Sequence, residues 1–244
     1  MATIRPRLIL GVRDRRGKRV VYREMWSRSF ILHFIELLYV QHAHTASTIT
    51  DVSGTGRSLT LTGARHYDFL YSKPNLRVSS PAGDVPAWIM VGARYVQYNV
   101  NTTTSVQWTG EHFGIVVGTG YTPAPATTDN ALISQINHGW AVGELEYGGT
   151  EVCFLRFGTL DGHRGELTIR RYFTNQSGGT ITVCETGIYA IGAQFIESSS
   201  HLISSNAWRF CIAHDLTNPG NPEAGISVGD GEVLEVRYVL KITP

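Results

Sequence analysis

Along the stretch GEVLEVRYVLKIT, near the end of the chain, apolar and polar residues alternate. Leu234, Val236, Tyr238, Leu240 and Ile242 fall on one face, and Glu235, Arg237 and Lys241 on the other. A period of two marks a half-buried strand, whose successive side chains point to opposite faces. The runs WAVGELEY, TEVCFLRF, GELTIRRYFTN, TITVCETGIYAIGA and NAWRFCIAHD have strand character too and are spaced by turn residues. HFGIVVGTG predicts a short buried strand running into a Gly-Tyr-Thr-Pro-Ala-Pro loop. Near the start, RLILGV and KRVVYREM flank RDRRG and predict a hairpin over residues 6–23, with Gly17 supplying positive φ in the turn. Between these ends the pattern weakens. We expect a hydroxyl-rich loop with one short strand near 59–61, a largely irregular 72–86 containing Pro74, Pro81 and Pro86, and strand-formers again in AWIMVGARYVQYNVNTT.

Two segments follow a helical period instead. In SRSFILHFIELLYVQHAH, Ser27 or Ser29 can cap the first turn, and Phe30, Phe34, Leu37 and Leu38 recur at helical spacing. Ile31 and Ile35 widen the stripe, leaving only His33 and Glu36 as a polar strip, so this helix should be covered on most sides by its own core or by a neighbouring subunit. In TTDNALISQINHG, Thr128 or Asp129 can cap a second helix carrying Leu132, Ile133 and Ile136 and ended by Gly139. The expected class is mainly β: an antiparallel β-sandwich or jelly-roll-like domain with one or two short α-helices and a basic N-terminal extension. The expected division is a basic hairpin, or arm, with its helix over 1–45, and a sandwich domain over 46–244.

Composition sharpens the picture in one respect. Charged residues make up 17% of the 244 positions, and there are 26 glycines. A typical soluble domain carries roughly 25% charged residues, so the surface suits a protein packed against neighbours. The net charge of +1 is unevenly spread: residues 1–28 hold nine bases and two acids, a net of +7, and the remainder a net of −6. A basic segment with Arg13, Arg15, Arg16 and Arg19 on an acidic body invites an acidic partner, either nucleic acid or another subunit. It has few interleaved aromatics beyond Tyr22 and Trp26 and matches no nucleic-acid module, so contact with phosphate would act through charge alone and be salt-dependent. The opening MATIRPRLILGVRDRRGKRV has no apolar core of signal-peptide length, and the most apolar stretch, 30–40, is far short of a membrane span. Synthesis in a cytosol, without membrane insertion, is expected.

Candidate chemistry is sparse. Cys153, Cys184 and Cys211 are far apart and odd in number, which argues for small buried thiols rather than a disulfide framework or metal site. VVGTGYTP lacks the third glycine of a dinucleotide fingerprint and the lysine of a phosphate loop, and reads as a turn. His42 and His44, Asp161 and His163, and His214 and Asp215 have no recognised metal spacing. There is no GxSxG elbow, and Glu144 and Glu146 share a face as any solvated strand allows. In RRYFTNQSGGTITVCETGIYAIGA, a hairpin around NQSGG would set Arg171 and Glu185 on one sheet face, as a structural ion pair or with the carboxylate bonded to backbone. No catalytic residue, metal or cofactor is expected.

The ordered series SRSFILHFIELLYVQ, ITDVSGTGRSLT, GIVVGTGYTPAPATTDNALISQINHGWAVGELEY, RRYFTNQSGGTITVCETGIYA and AWRFCIAHDLTNP…VGDGEVLEVRYVLKI resembles virion structural proteins of tailed bacteriophages and prophages over about 27–242. The resemblance implies a non-enzymatic subunit of a tail, head–tail connection or capsid decoration, located in the virion. It implies self-assembly and contact with other virion proteins, and it carries no catalytic residues with it. Assembly contacts would then fall on Arg13, Arg15, Arg16, Arg19, Phe30, Phe34, Leu37 and Leu38. A second reading is a fibre or spike module that binds a host-surface receptor or carbohydrate. Sugars would stack on loop aromatics, with Trp88, Trp108, Trp140 and Trp208 as candidates. A glycan-degrading enzyme would need an acid pair that spacing alone does not reveal.

Overall fold

The computed structural model describes residues 3–27, 32–43, 47–61, 76–78, 85–90, 96–99, 105–108, 110–157, 164–198 and 201–243. The chain is mainly β. Its strands are β1 (Thr3–Arg13), β2 (Arg19–Trp26), β3 (Ser47–Thr50), β4 (Gly56–Leu61), β5 (Leu76–Val78) and β6 (Val85–Met90). After these come β7 (Val96–Asn99), β8 (Ser105–Trp108), β9 (Gly114–Gly118), β10 (Glu146–Tyr147), β11 (Glu151–Phe157) and β12 (Arg164–Thr174). The last are β13 (Ile181–Val183), β14 (Glu185–Ser198), β15 (His201–Leu216), β16 (Ile226–Val228) and β17 (Val233–Thr243). Among the described residues one α-helix, α1, spans Leu32–Ala43.

A six-stranded antiparallel sheet runs β10-β12-β17-β1-β2, with β11 beside β10 on the same margin of β12. The alternation in the sequence explains its two faces. Leu8, Leu10 and Val12 of β1 pair with Tyr238, Val236 and Leu234 of β17, which pair in turn with Ile169, Arg171 and Phe173 of β12. All nine are buried, and each fully buried large apolar side chain contributes about 1.5–3 kcal/mol. The opposite face carries Arg7, Ile9, Arg237, Arg170 and Tyr172. Glu235 lies on that face, as the alternation places it, and is covered there, accepting a bond from Tyr172 Oη at 3.3 Å.

The β1–β2 hairpin forms as expected, with Gly17 at φ +76° and Asp14 Oδ1 accepting from the N–H groups of Arg16 and Lys18. It is no extension, however. β1 is paired with β17 from Thr3↔Thr243 to Arg13↔Val233, so the expected boundary near residue 45 cuts through one continuous sheet. β1 takes one of its two strand neighbours from the end of the chain, a dependence that the charge run concealed.

The second large sheet has seven strands, ordered β15-β14-β6-β5-β4-β3, with β9 pairing β14 over Glu185–Tyr189. Part of 72–86, expected to be irregular, supplies β5 and the start of β6; the rest of that span lies outside the described residues. The pairs β7–β8 and β13–β16 form small two-stranded sheets. The two large sheets touch through side chains: Tyr238 Oη donates to Thr186 O at 3.2 Å, and Arg171 reaches the carbonyls of β9 and its approach. Between β12 and β13 the NQSGG turn does not close a hairpin; it carries the chain from one sheet to another strand pair. Buried Asn175 holds that crossing, donating to Gly179 O and Val228 O and accepting from Ser177 N and Oγ.

In α1, Leu37 and His33 face inward and Phe34 is half-buried, whereas Leu32, Ile35 and Tyr39 are exposed. The expected assembly residues Phe34 and Leu37 thus pack on the protein's own core. Phe30 and the side chain of Leu38 lie outside the described residues.

Candidate functional site

Between β9 and β10 lie residues 119–145, a connection without helix or strand of its own. Long loops of this kind inside compact domains are usually functional, and this one is fastened with unusual density. The expected helix over 128–139 does not form. Its would-be donors are committed elsewhere: Leu132 N–H to Tyr189 Oη at 2.8 Å, Ile133 N–H to Glu185 Oε2 at 2.9 Å, and Ser134 N–H to Glu185 Oε1 at 2.7 Å. Ile136 N–H donates to Val117 O. Local propensity loses here to tertiary hydrogen bonding.

Glu185 begins β14 and is completely buried. Besides the two bonds above, its Oε1 accepts from Gly120 N–H at 3.1 Å, and its Oε2 meets His214 Nε2 at 2.8 Å. The carboxylate's acceptor positions are therefore filled. Close approach explains the glycines: a Cβ at Gly120 would stand 2.6 Å from Glu185 Oε1 and 2.4 Å from Ile133 Cβ.

His214, on β15, is also fully buried, and its Nδ1 meets Asp129 Oδ2 at 2.7 Å. A neutral imidazole has one donor and one acceptor nitrogen, so carboxylate oxygens at both nitrogens favour the imidazolium, which donates from each. Burial alone would push its pKa down; the hydrogen bonds and negative charges of Glu185 and Asp129 outweigh burial and hold it above the usual value. Asp129 Oδ2 also accepts from Ala126 N–H at 2.8 Å. Asp129, expected to cap a helix, instead ties its loop to β15.

Arg171 is the counterpart of opposite sign. It is 1% exposed and donates to Gly148 O at 2.7 Å, Phe113 O at 2.9 Å and Ile115 O at 2.7 Å. Its guanidinium lies 4.8 Å from the Tyr147 ring and 5.7 Å from the Phe173 ring, where ring quadrupoles attract a cation. Burial lowers its pKa to about 10, still charged at neutral pH. The expected Arg171–Glu185 ion pair does not form: the turn after β12 does not fold β14 back beside it, and each charge is taken up by other partners. Glu185 takes the other expected form, a backbone-bonded carboxylate, and adds His214, which the sequence showed only beside Asp215.

Chemically this constellation fastens. Both imidazole nitrogens are engaged, and nearby Cys211 is buried with its thiol pKa pushed up, an inert setting for sulfur. Among the described residues no group of three or more His, Cys, Asp or Glu side chains could hold a metal ion. Cys153, expected to be buried, is exposed on β11, and the three thiols are unbridged. Asp161, His163 and His44 lie outside the described residues. No described helix is long and apolar enough to cross a membrane.

What the anchors hold out is apolar. Trp140 is 66% and Val142 90% exposed, with Tyr121 and Ile133 also at the surface. The tip is pre-formed: Gly139 N–H donates to Leu145 O, Leu145 N–H to Asn137 O, and Ala141 N–H to Glu144 Oε2. Glu144, expected on a strand, belongs to this turn. The side chains of Trp88, Trp108 and Trp208 lie outside the described residues. Comparison with protein-family models, curated proteins and solved structures found no match to this chain.

Proposed function

We propose that this chain is a non-enzymatic structural subunit of a tailed-bacteriophage virion, a tail, connector or decoration component that assembles with its own copies and with other virion proteins. One observation carries the reading: buried ionic groups fasten a long loop by hydrogen bonds while its Trp140–Val142 tip is left in solvent. Presentation of apolar surface on a fastened loop suits permanent contact with a neighbour, because little conformational freedom is lost on docking. We read the two large sheets as layers of a sandwich of jelly-roll type, with Tyr238 and Arg171 reaching between them. Quantitative mass spectrometry of purified particles tests the proposal. Many copies per virion are expected, and absence from intact particles overturns it.

The exposed Trp140 also favours the second reading, a receptor- or carbohydrate-binding module at a fibre or spike, since indole faces stack on sugars. Normal host adsorption by particles carrying Trp140→Ala would dispose of it.

A further inference from the structure

We propose that copies of this chain associate side by side and head to tail through the two margins of the six-stranded sheet, the basic β1–β2 turn of one copy meeting the acidic β10–β11 margin of the next. This rests on the self-assembly reading and adds which surfaces meet.

The observation is one hydrogen-bonded row. Arg19, Arg13, Val233, Thr174 and Glu146 are successive partners across β2, β1, β17, β12 and β10. A base therefore stands at one end of the row and an acid at the other, about 19 Å apart at ~4.8 Å per strand. Charge around each end follows suit. Residues 13–19 contain Arg13, Arg15, Arg16, Lys18 and Arg19 against Asp14 alone. At the other end Glu144 lies two residues from Glu146, Glu111 accepts from the N–H of His138, whose ring bonds Tyr147 N–H of β10, and residues 110–150 contain no lysine or arginine. Arg15 is held by Asp230 of its own copy at 2.7 Å, and Arg16, Lys18 and Arg19 are exposed.

Among the described residues, no strand pairs the outer margin of β2 or of β11. Both margins carry exposed apolar side chains, Val20, Tyr22 and Trp26 on one and Val152 on the other. A second row ends in Glu24 and Glu151, like charges, but each is paired within its own copy, to Arg7 and Arg170. In the first row Arg13 lies 3.8 Å from Glu235 of its own copy, and the two end charges, Arg19 and Glu146, are the ones left to attract across the contact. Because the two surfaces differ, the contact is heterologous: repeated, it makes a ring when the rotation closes and a filament when it does not. Exposed charge pairs are screened by salt, so association should weaken as ionic strength rises.

Sedimentation velocity at low salt tests this with three proteins: wild type, a basic-margin variant (Arg16→Glu, Lys18→Glu, Arg19→Glu) and an acidic-margin variant (Glu146→Lys). Circular dichroism on the same samples reports folding. Wild type should associate, and each variant alone should do so about tenfold or more weakly. An equimolar mixture of the variants should recover association, because each reversed margin then meets its opposite. Association that persists in both variants, or fails to return on mixing, overturns the proposal and leaves self-assembly standing. A wild type that stays monomeric at every concentration overturns both.

Discussion

Arg171 and Glu185 are both charged and essentially free of solvent contact, yet they are satisfied in opposite ways. The cation reaches three backbone carbonyls and two aromatic faces. The anion collects three backbone N–H groups and one imidazolium. Both act on the same stretch of chain: Arg171 holds β9 and its approach on one side and Gly148 on the other, and Glu185 holds the loop between. Irregular backbone cannot satisfy its own polar groups internally, so the points where this largely exposed connection dips into the protein, at Gly120, Leu132 and Ile136, need outside donors and acceptors. Two buried charges of opposite sign supply both kinds, with charge-assisted bonds stronger than neutral ones.

The two regions should differ in cost when broken. Glu185→Ala orphans the buried N–H of Gly120 and the part-buried N–H groups of Ile133 and Ser134, and leaves His214 charged beside Asp129 alone. We expect a loss of about 3–5 kcal/mol in urea unfolding, the range for breaking a buried ion pair. Arg171→Met should cost less, about 1–3 kcal/mol, because a carbonyl oxygen has a second lone pair and tolerates under-satisfaction better than an orphan N–H. Equal losses in the two variants would break the asymmetry.

That asymmetry was only half legible in the chain. Strict alternation in β17 and the apolar–turn–apolar pattern of residues 6–23 dictate strand and hairpin, because a half-buried sheet has no other way to sort such side chains. Glu185 and Arg171 stood out as charges inside apolar runs. Their partners did not, because backbone N–H and C=O groups look the same at every position, and His214 and Asp129 meet Glu185 only through pairing of β14 with β15 and the return of the loop. The same blindness produced the false helix at 128–139. Leu132 and Ile136 are buried there as a helix would also bury them, and nothing local announces that a carboxylate from β14 takes the intervening donors.

Next in size come perturbations that displace the anion without removing it. Gly120→Ala puts a methyl against Glu185 Oε1 and Ile133; overpacking of this kind costs about 1–3 kcal/mol, read as a lower melting temperature. Titration is gentler. The folded pKa of His214 is raised, so its stabilisation is complete below the unfolded value of about 6.5 and is lost as pH rises through the folded value. The melting temperature should therefore fall on that alkaline limb in wild type, and the fall should be reduced in His214→Gln, which has no charge to lose. An identical limb in the variant would assign the effect to another group. The cation cage has no such limb near neutrality, since Arg171 titrates only at about 10.

The smallest effect should come from the tip that these anchors hold. Trp140 is two-thirds exposed and stands beyond the hydrogen bonds that close its turn. Removing an exposed side chain away from buried features usually changes stability by no more than about 0.5 kcal/mol, and Trp140→Ala should fall within that margin in the same urea experiment. Its effect belongs elsewhere, in association or host adsorption. If it instead destabilises the fold as strongly as Arg171→Met does, the tip is part of the fastening, and the separation between a buried base and a presented surface fails at its outer end.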